Sequence, residues 1–530
     1  MDLTRRTLAQ SAVAGTLSLA MPAIAQPARA STLRFIPQAN LTALDPIWTT
    51  ATVTTNHGYY VFDTLYSVDG QMRPQPQMAA GHDVSADGRV WRIRLRDGLR
   101  FHDGTPVRSV DCVASLRRWS VVDPFGQLLA AAAEAWNTPD DRTIEIRLVH
   151  PFPLLDALGK PDSNVPFIMP ERLARTPASM QVTEIVGSGP YRFVAGEYNS
   201  GSRVVYAKFD GYMPRQEPPE WGSGGKIAHF ERIEWQIIPD AATASAALQA
   251  GEVDWWEQPI ADLLPSLAKD RTLKIGPLFP AGQLGLMRMN CLQPPFNDVR
   301  MRRAVMMAVN QEDYMRAAFG DDRSLWSTCY SLFPHATPYY SEHGADLLKG
   351  PHDSAAVKAA LQDAGYAGQK VVIINPGDFP KIEALGEVTY DALRRAGMDV
   401  DLQVGDWGTV IQRRASREPV EKGGWSIFHT YGSAAAYANP AVSPLVRGLG
   451  AKGWFGWWDS PQAETLTQQW LTAPQEADRT RLAESLNALA LEQVATVPLG
   501  QGFIRTAYRA DLSGMVVGNG PYPWGLHRTT

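Results

Sequence analysis

A chain of 530 residues, 45% apolar and 20% charged, is far too long for one small core, and its length predicts two to four domains of ordinary globular composition. The formal net charge of −5, with basic residues scattered along the chain, excludes a phosphate-tracking surface and gives no reason to expect a nucleic-acid partner.

Residues 1–30 read as an export signal that is removed. Thr4-Arg5-Arg6-Thr7-Leu8 gives a basic start, Ser11 to Ile24 is mostly small and apolar, and Ala23-Ile24-Ala25 and Ala28-Arg29-Ala30 are A-x-A cleavage candidates. The paired arginines predict twin-arginine export of an already folded protein; an ordinary secretory signal that happens to carry Arg5-Arg6 is the alternative. Neither cleavage candidate has a cysteine beside it to carry a lipid anchor, and no other stretch approaches about 18 uninterrupted apolar residues. Cys112, Cys291 and Cys329 are the three cysteines; a Cys291–Cys329 disulfide and three buried thiols are both open.

Beyond the signal, Thr32-Leu-Arg-Phe-Ile-Pro37 alternates as a strand, a threonine-rich loop holds Thr49, Thr50 and Thr52, and a helix is predicted around His57 to Leu65. Trp91, Ile93 and Leu95 alternate with Arg92, Arg94 and Arg96 as a half-buried strand, and a helix is predicted from Ser109 to Trp119. Further strands follow at Ile144–Leu148, Val204–Phe209 and Ile233–Ile238, and an alanine-rich helix at 241–251 ends on Gly251. From Met289 the pattern changes. Asn297 or Asp298 caps a helix whose stripe is Met301, Ala304, Val305, Ala308 and Val309, with Arg300, Arg302 and Arg303 in its first turn, solvated or paired with carboxylates elsewhere. Short buried strands at Lys370–Asn375, Asp399–Val404 and Trp425–Thr430 then alternate with helices, which argues for βαβ units on a mixed sheet, and a helix over 475–494 precedes loops rich in Pro and Gly.

The chain carries no zinc-protease, nucleophile-elbow or phosphate-loop motif, and no cofactor or metal site is expected. Ser266-Leu-Ala-Lys269 matches the short S-x-x-K pattern of serine acyl-enzymes, but four common residues arise by chance, and an exported hydrolase stays a minority reading. Sixteen tryptophans are the more informative excess: Trp454, Trp457 and Trp458 sit on glycine-spaced loop, where rings line a cleft or fill a core, and Trp407 follows a strand.

Four motifs in order carry a resemblance: Leu95-Arg-Asp-Gly-Leu-Arg-Phe-His-Asp-Gly-Thr-Pro106, Gly187-Ser-Gly-Pro-Tyr191, Ala247-Leu-Gln-Ala-Gly-Glu-Val-Asp254, and Met289 through Ala304. The chain resembles the extracytoplasmic solute-binding proteins of ABC importers, family 5, the peptide, dipeptide and nickel binding family. The resemblance implies an α/β fold of two lobes with mixed sheets flanked by helices: lobe one over 31–280 with an extra subdomain at about 70–185, lobe two over 281–499, and a return to lobe one over 500–530. It implies a soluble periplasmic monomer that captures a peptide-like or other small organic solute and hands it to a membrane permease, with no bond-making step; a sensor on the same fold is a further alternative.

Ligand-specific residues transfer poorly. Where peptide-binding members place an aspartate against the ligand's amino group, Phe428 to Pro440 holds no acid; Tyr431 and Ser433 occupy that turn. Near the expected carboxylate-binding arginine, at Pro376 to Lys381, only Lys381 is cationic. The expected ligand contacts are therefore Thr50 and Thr52 from lobe one, and Trp407, His429, Tyr431 and Ser433 from lobe two.

Overall fold

The computed structural model describes residues 31–529, so the export signal expected over 1–30 lies outside the described residues. Two separate mixed sheets organise the chain. The first has seven strands in the order Tyr191–Phe193, Arg203–Lys208, Arg232–Gln236, Thr32–Ile36, Trp255–Trp256, Arg505–Arg509, Leu273–Pro277. Thr32–Ile36 runs parallel to both neighbours, and a central parallel strand is covered on both faces, which is why Leu33 and Phe35 are fully buried. Phe35 meets the rings of Trp235 and Trp255 at 5.6 and 4.8 Å, so two of the tryptophans are spent on this core.

The second sheet has six strands in the order Trp326–Ser327, Val497–Gly502, Gln283–Met289, Ile427–Ser433, Val371–Pro376, Val400–Gly405. The expected βαβ unit is present here: Val371–Pro376 pairs in parallel with Val400–Gly405, and the helix Pro380–Arg395 connects them. A four-stranded antiparallel sheet stands apart, in the order Ala79–Val84, Val90–Leu95, Thr143–Leu148, Ala133–Asp140. Its Arg92 and Arg94 pair on the outer face with Glu145 and Asp83, while Ile93 and Leu95 are buried, as alternation requires. The chain passes from the seven-stranded to the six-stranded sheet between Pro277 and Gln283 and comes back between Gly502 and Arg505, leaving a cleft between two lobes joined by two short crossings.

Local expectations hold in kind and shift at their ends. The helix expected around 57–65 spans Thr52–Val61, and residues 63–64 instead pair as a strand with Phe167–Ile168. A run of β-branched residues starts that helix; burial of Val53 through Val61 overrides their weak helix propensity. The later helix spans Val299–Met307, with Asp298 accepting from the Arg300 amide at 2.8 Å. Its arginines have different fates. Arg300 pairs with Asp298 at the surface, Arg303 with Glu492, and Arg302 is buried, donating to the carbonyls of Phe296 and Gln493 at 2.8 and 2.7 Å. Gln493 ends the helix Glu476–Glu492, where free carbonyls and the helix dipole favour a cation. All three cysteines are free thiols, and Cys112 and Cys329 are buried. Among the described residues no helix is long and apolar enough to cross a membrane.

Candidate ligand site between the lobes

The two lobes meet over a small enclosed cavity, and each reaches it differently. Lobe two presents the C-terminal end of the strand Ile427–Ser433 and the two ends of the helix Trp407–Arg413. Strand register places Tyr431 opposite Gly285, where a Cβ would stand 2.9 Å from the Tyr431 ring, so the glycine leaves room for it. The next residue, Gly432, is as constrained: a Cβ there would fall 1.8 Å from the Tyr437 hydroxyl. Lobe one presents loops. Lys160 to Asn164 turns through positive φ at Ser163 (50°) and Asn164 (62°), and the Asn164 amide donates to the carbonyls of Ile47 and Thr49, 3.1 Å each. Those bonds fix the threonine loop beside the loop that carries Asp162.

Arg414, just past the helix Trp407–Arg413, dominates the cavity's electrostatics. The side chain is 1% exposed, and its Nη2 donates to the hydroxyls of Thr49 and Thr50, 3.2 Å each, across the cleft. Its guanidinium carbon lies 4.7 Å from the Phe455 ring centre and 5.9 Å from that of Trp407. Among the described residues no carboxylate pairs with it, and its Nε has no hydrogen-bond partner. Burial lowers its pKa to about 10, which still leaves it charged at neutral pH. A buried cation bonded only to hydroxyls is expensive unless an anion joins it.

A second polar cluster flanks this one. Lys381 Nζ donates to Gln258 Oε1 at 3.1 Å, across the cleft, and the Gln258 amide donates to Gln38 at 2.5 Å. Burial pushes the Lys381 ammonium down, partly offset by the charge of Glu257, and pushes the Glu257 carboxyl up against bonds from the Gln38 amide and Asn56. On the far wall Asp162 accepts from Ser163 N (2.7 Å) and, across the cleft, from Ser433 Oγ (2.5 Å). Tyr431 carries a buried hydroxyl with no partner, and burial pushes its pKa up.

Of the expected contacts, Thr50, Thr52, Trp407 and Tyr431 line the cavity together. His429 and Ser433 do not line it. His429 lies two residues deeper on the strand, facing the helix Pro380–Arg395, where its Nε2 bonds to Thr389 at 2.8 Å. Ser433 is spent in the clasp to Asp162 and in capping the turn at Ala436. Of the three loop tryptophans, Trp454 reaches the cavity, while Trp457 and Trp458 are buried. Sequence reasoning missed Arg414, Asp162, Gln258 and Trp454's specific role. One signal was present: Trp407, Val410, Ile411 and Arg414 fall at i, i+3, i+4 and i+7, so the buried stripe of that helix runs straight into an arginine. Asp162 left no comparable trace, because its place depends on a loop. Ser266 Oγ donates to the Leu263 carbonyl at 2.8 Å, a local turn bond, and the S-x-x-K match has no other support.

A profile of bacterial extracellular solute-binding proteins, family 5 Middle, matches residues 73–450. The chain is 37% identical, over the full length of both, to a probable peptide ABC transporter periplasmic-binding protein of Sinorhizobium fredii. It is 24% identical to the glutathione-binding protein GsiB of Escherichia coli K12, over 90% of each chain. Among solved structures it superposes on AgaA with agropinic acid, from A. tumefaciens R10, with a TM-score of 0.78 at 21% identity, over 94% of this chain and 99% of that one. The ABC transporter-associated periplasmic binding protein DppA of Helicobacter pylori, in complex with the peptide STSA, superposes with a TM-score of 0.77 at 19% identity, over 94% and 98%.

Proposed function

We propose that this chain, which belongs to the family 5 bacterial extracellular solute-binding proteins and is the periplasmic solute-binding component of an ABC importer, captures a small organic solute bearing a carboxylate. The observation that carries this reading is Arg414: a buried, charged guanidinium that bridges the lobes through two threonine hydroxyls and has no acidic partner among the described residues. A ligand carboxylate supplies the missing counter-charge and offers both acceptor oxygens to the guanidinium fork. Lys381, which burial lowers to about 7, adds a partly protonated amine on the same lobe, so the solute lies with its acid toward Arg414 and its hydrogen-bond donors toward Asp162 and Gln258 of lobe one.

In this reading Thr50, Thr52, Trp407 and Tyr431 touch the solute. Ser433 acts through Asp162, and His429 holds the strand in place from behind. Closure moves the lobe of the six-stranded sheet, which keeps its strand as far as Gly502 rather than ending at 499, against the lobe of the seven-stranded sheet, and the solute favours the closed form by the contacts it makes only there. The solute leaves chemically unaltered. A peptide with a free C-terminus and an acidic metabolite both fit, and the relatives bear names of both kinds: peptide and agropinic acid.

Native mass spectrometry of the exported protein, followed by calorimetry with the co-purified solute, tests the reading. The expected solute is acidic and is recovered at unchanged mass. Arg414→Met weakens its binding by about a hundredfold, the usual cost of removing one partner of a buried charge pair, while the ligand-free protein melts no lower, because an unpaired buried charge has been removed. A neutral solute, or an Arg414→Met protein that binds as tightly as the parent, overturns it.

A further inference from the structure

The cavity at Arg414 is too small for a whole solute. Its room for water centres is about 30 Å³, the space of roughly two waters, which suits a carboxylate and little else. Thr50, Ser163, Pro444 and Trp454 line it on one side and a second space on the other, and this second chamber is about 410 Å³. The wall between them is thin. Trp454 Nε1 donates to Thr50 Oγ1 at 3.3 Å, one hydrogen bond between residues of opposite lobes.

The second chamber has polar residues on its walls; most are engaged with one another or with backbone, and Lys452 is exposed with its ammonium left to solvent. Lys160 pairs with Asp123 at 2.6 Å, Asn164 holds the carbonyls of Ile47 and Thr49, Gln127 donates to the Val121 carbonyl at 3.1 Å, and Arg417 donates to the Ala451 carbonyl at 2.6 Å. Apart from Lys452, the surface that remains for a guest is mainly apolar: Ile47, Trp48, Val121, Val442, Pro444 and Phe455. Trp48 and Val121 are 42% and 62% exposed, so the chamber reaches solvent there with apolar side chains left uncovered.

Resting on the carboxylate reading above, we infer that the solute is a two-part molecule, with its acid enclosed at Arg414 and an apolar tail of several carbons laid in the second chamber, and that the Trp454–Thr50 contact is the gate between head and tail. A tail of that kind gains by leaving water and needs no hydrogen bonds, which matches what the walls offer. It also explains why Trp454 stands on a glycine-spaced loop, Gly453-Trp-Phe-Gly456, since a gate ring has to shift as the tail enters.

Calorimetry with butanoate, hexanoate and octanoate, and with octanol as the uncharged control, tests the inference on the full exported protein. Affinity is expected to rise about threefold to fourfold per methylene, with octanol at least tenfold weaker than octanoate. Val121→Asp and Trp48→Ser change exposed positions and are first checked for an unchanged melting temperature. Each is expected to flatten the chain-length series while leaving butanoate binding as it was. Equal affinity for butanoate and octanoate in the parent protein, binding of none of the three acids, or a chain-length series that survives Val121→Asp and Trp48→Ser together overturns the tail assignment. The Arg414→Met protein reads the head separately: if it keeps the preference for octanoate over octanol, the carboxylate reading fails, whatever the tail series shows.

Discussion

The two walls of the cleft are built by different means. Lobe two sets its residues by regular structure: the register of Ile427–Ser433 against Gln283–Met289 fixes Tyr431, and the helix Trp407–Arg413 fixes Arg414 at its end. Lobe one sets its residues by side-chain bonds to backbone, with two non-glycine residues held at positive φ so that Asp162 faces the cavity. Such conformations cost about 1–2 kcal/mol per residue, offset here by the Asn164 amide satisfying carbonyls of the threonine loop. The charges divide the same way. Arg414 stands on lobe two, Asp162 and the threonine hydroxyls on lobe one, so the two walls differ electrostatically.

Acid challenges both lobes at once, and has the largest expected effect. Each lobe buries a neutral histidine: His57 beneath the seven-stranded sheet, its Nδ1 bonded to Tyr206 at 2.9 Å, and His429 within the six-stranded one. Burial lowers both from 6.5 to about 3, the Leu44 carbonyl opposing this at His57. The unfolded chain takes up protons below pH 6.5 and the folded chain does not, so this contribution is full above 6.5 and lost as pH falls toward 3. The expected loss is on the order of 3 kcal/mol per histidine at pH 4. Thermal melts from pH 7 to 4 check it, and His429→Gln is expected to shallow the slope; a slope that His429→Gln leaves unchanged removes this histidine from the account.

Gly432→Ala sharpens the comparison on the lobe-two side alone. Its Cβ would meet the Tyr437 hydroxyl at 1.8 Å, and forcing Tyr437 aside costs about 1–3 kcal/mol. Solute binding is expected to suffer more than the melting temperature of lobe one's core, which near-ultraviolet dichroism of its tryptophans reports. Ser433→Ala is the gentlest probe. It removes the bond to Asp162 that joins the two walls, and the expected loss is about 1 kcal/mol, near fivefold in affinity. Binding measured at equilibrium decides it; an unchanged affinity means the clasp forms equally well in the open state.

The sequence showed the scaffold far better than the site. Alternation at Thr32–Ile36 and Val90–Leu95, the capped stripe from Asp298 and the buried run at 371–376 are local signals that each became the element it indicates, while the strand at 400–405, expected to be buried, lies at the sheet's edge with Val404 exposed. The family motifs, all of them scaffold segments, carried the two-lobed fold. Thr50, Thr52, Trp407 and Tyr431, expected as ligand contacts, line the cavity from a loop, two helix starts and a strand near its C-terminal end. His429 shares a strand face with Tyr431 but lies two residues further in, and one-dimensional alternation cannot say where a sheet's edge meets solvent.

What the sequence determined alone is the order of elements and the absence of an acid in the lobe-two turn. The cavity's acid, Asp162, stands on the other lobe, 271 residues from its partner Ser433, and its unpaired guanidinium stands at a helix end rather than in the 376–381 loop. Only the tertiary structure decided those, because a charge is a site or a solvated side chain according to what surrounds it. Burial, the missing counter-ion and the wall across the cleft are properties of two lobes brought together, and no single stretch of chain encodes them.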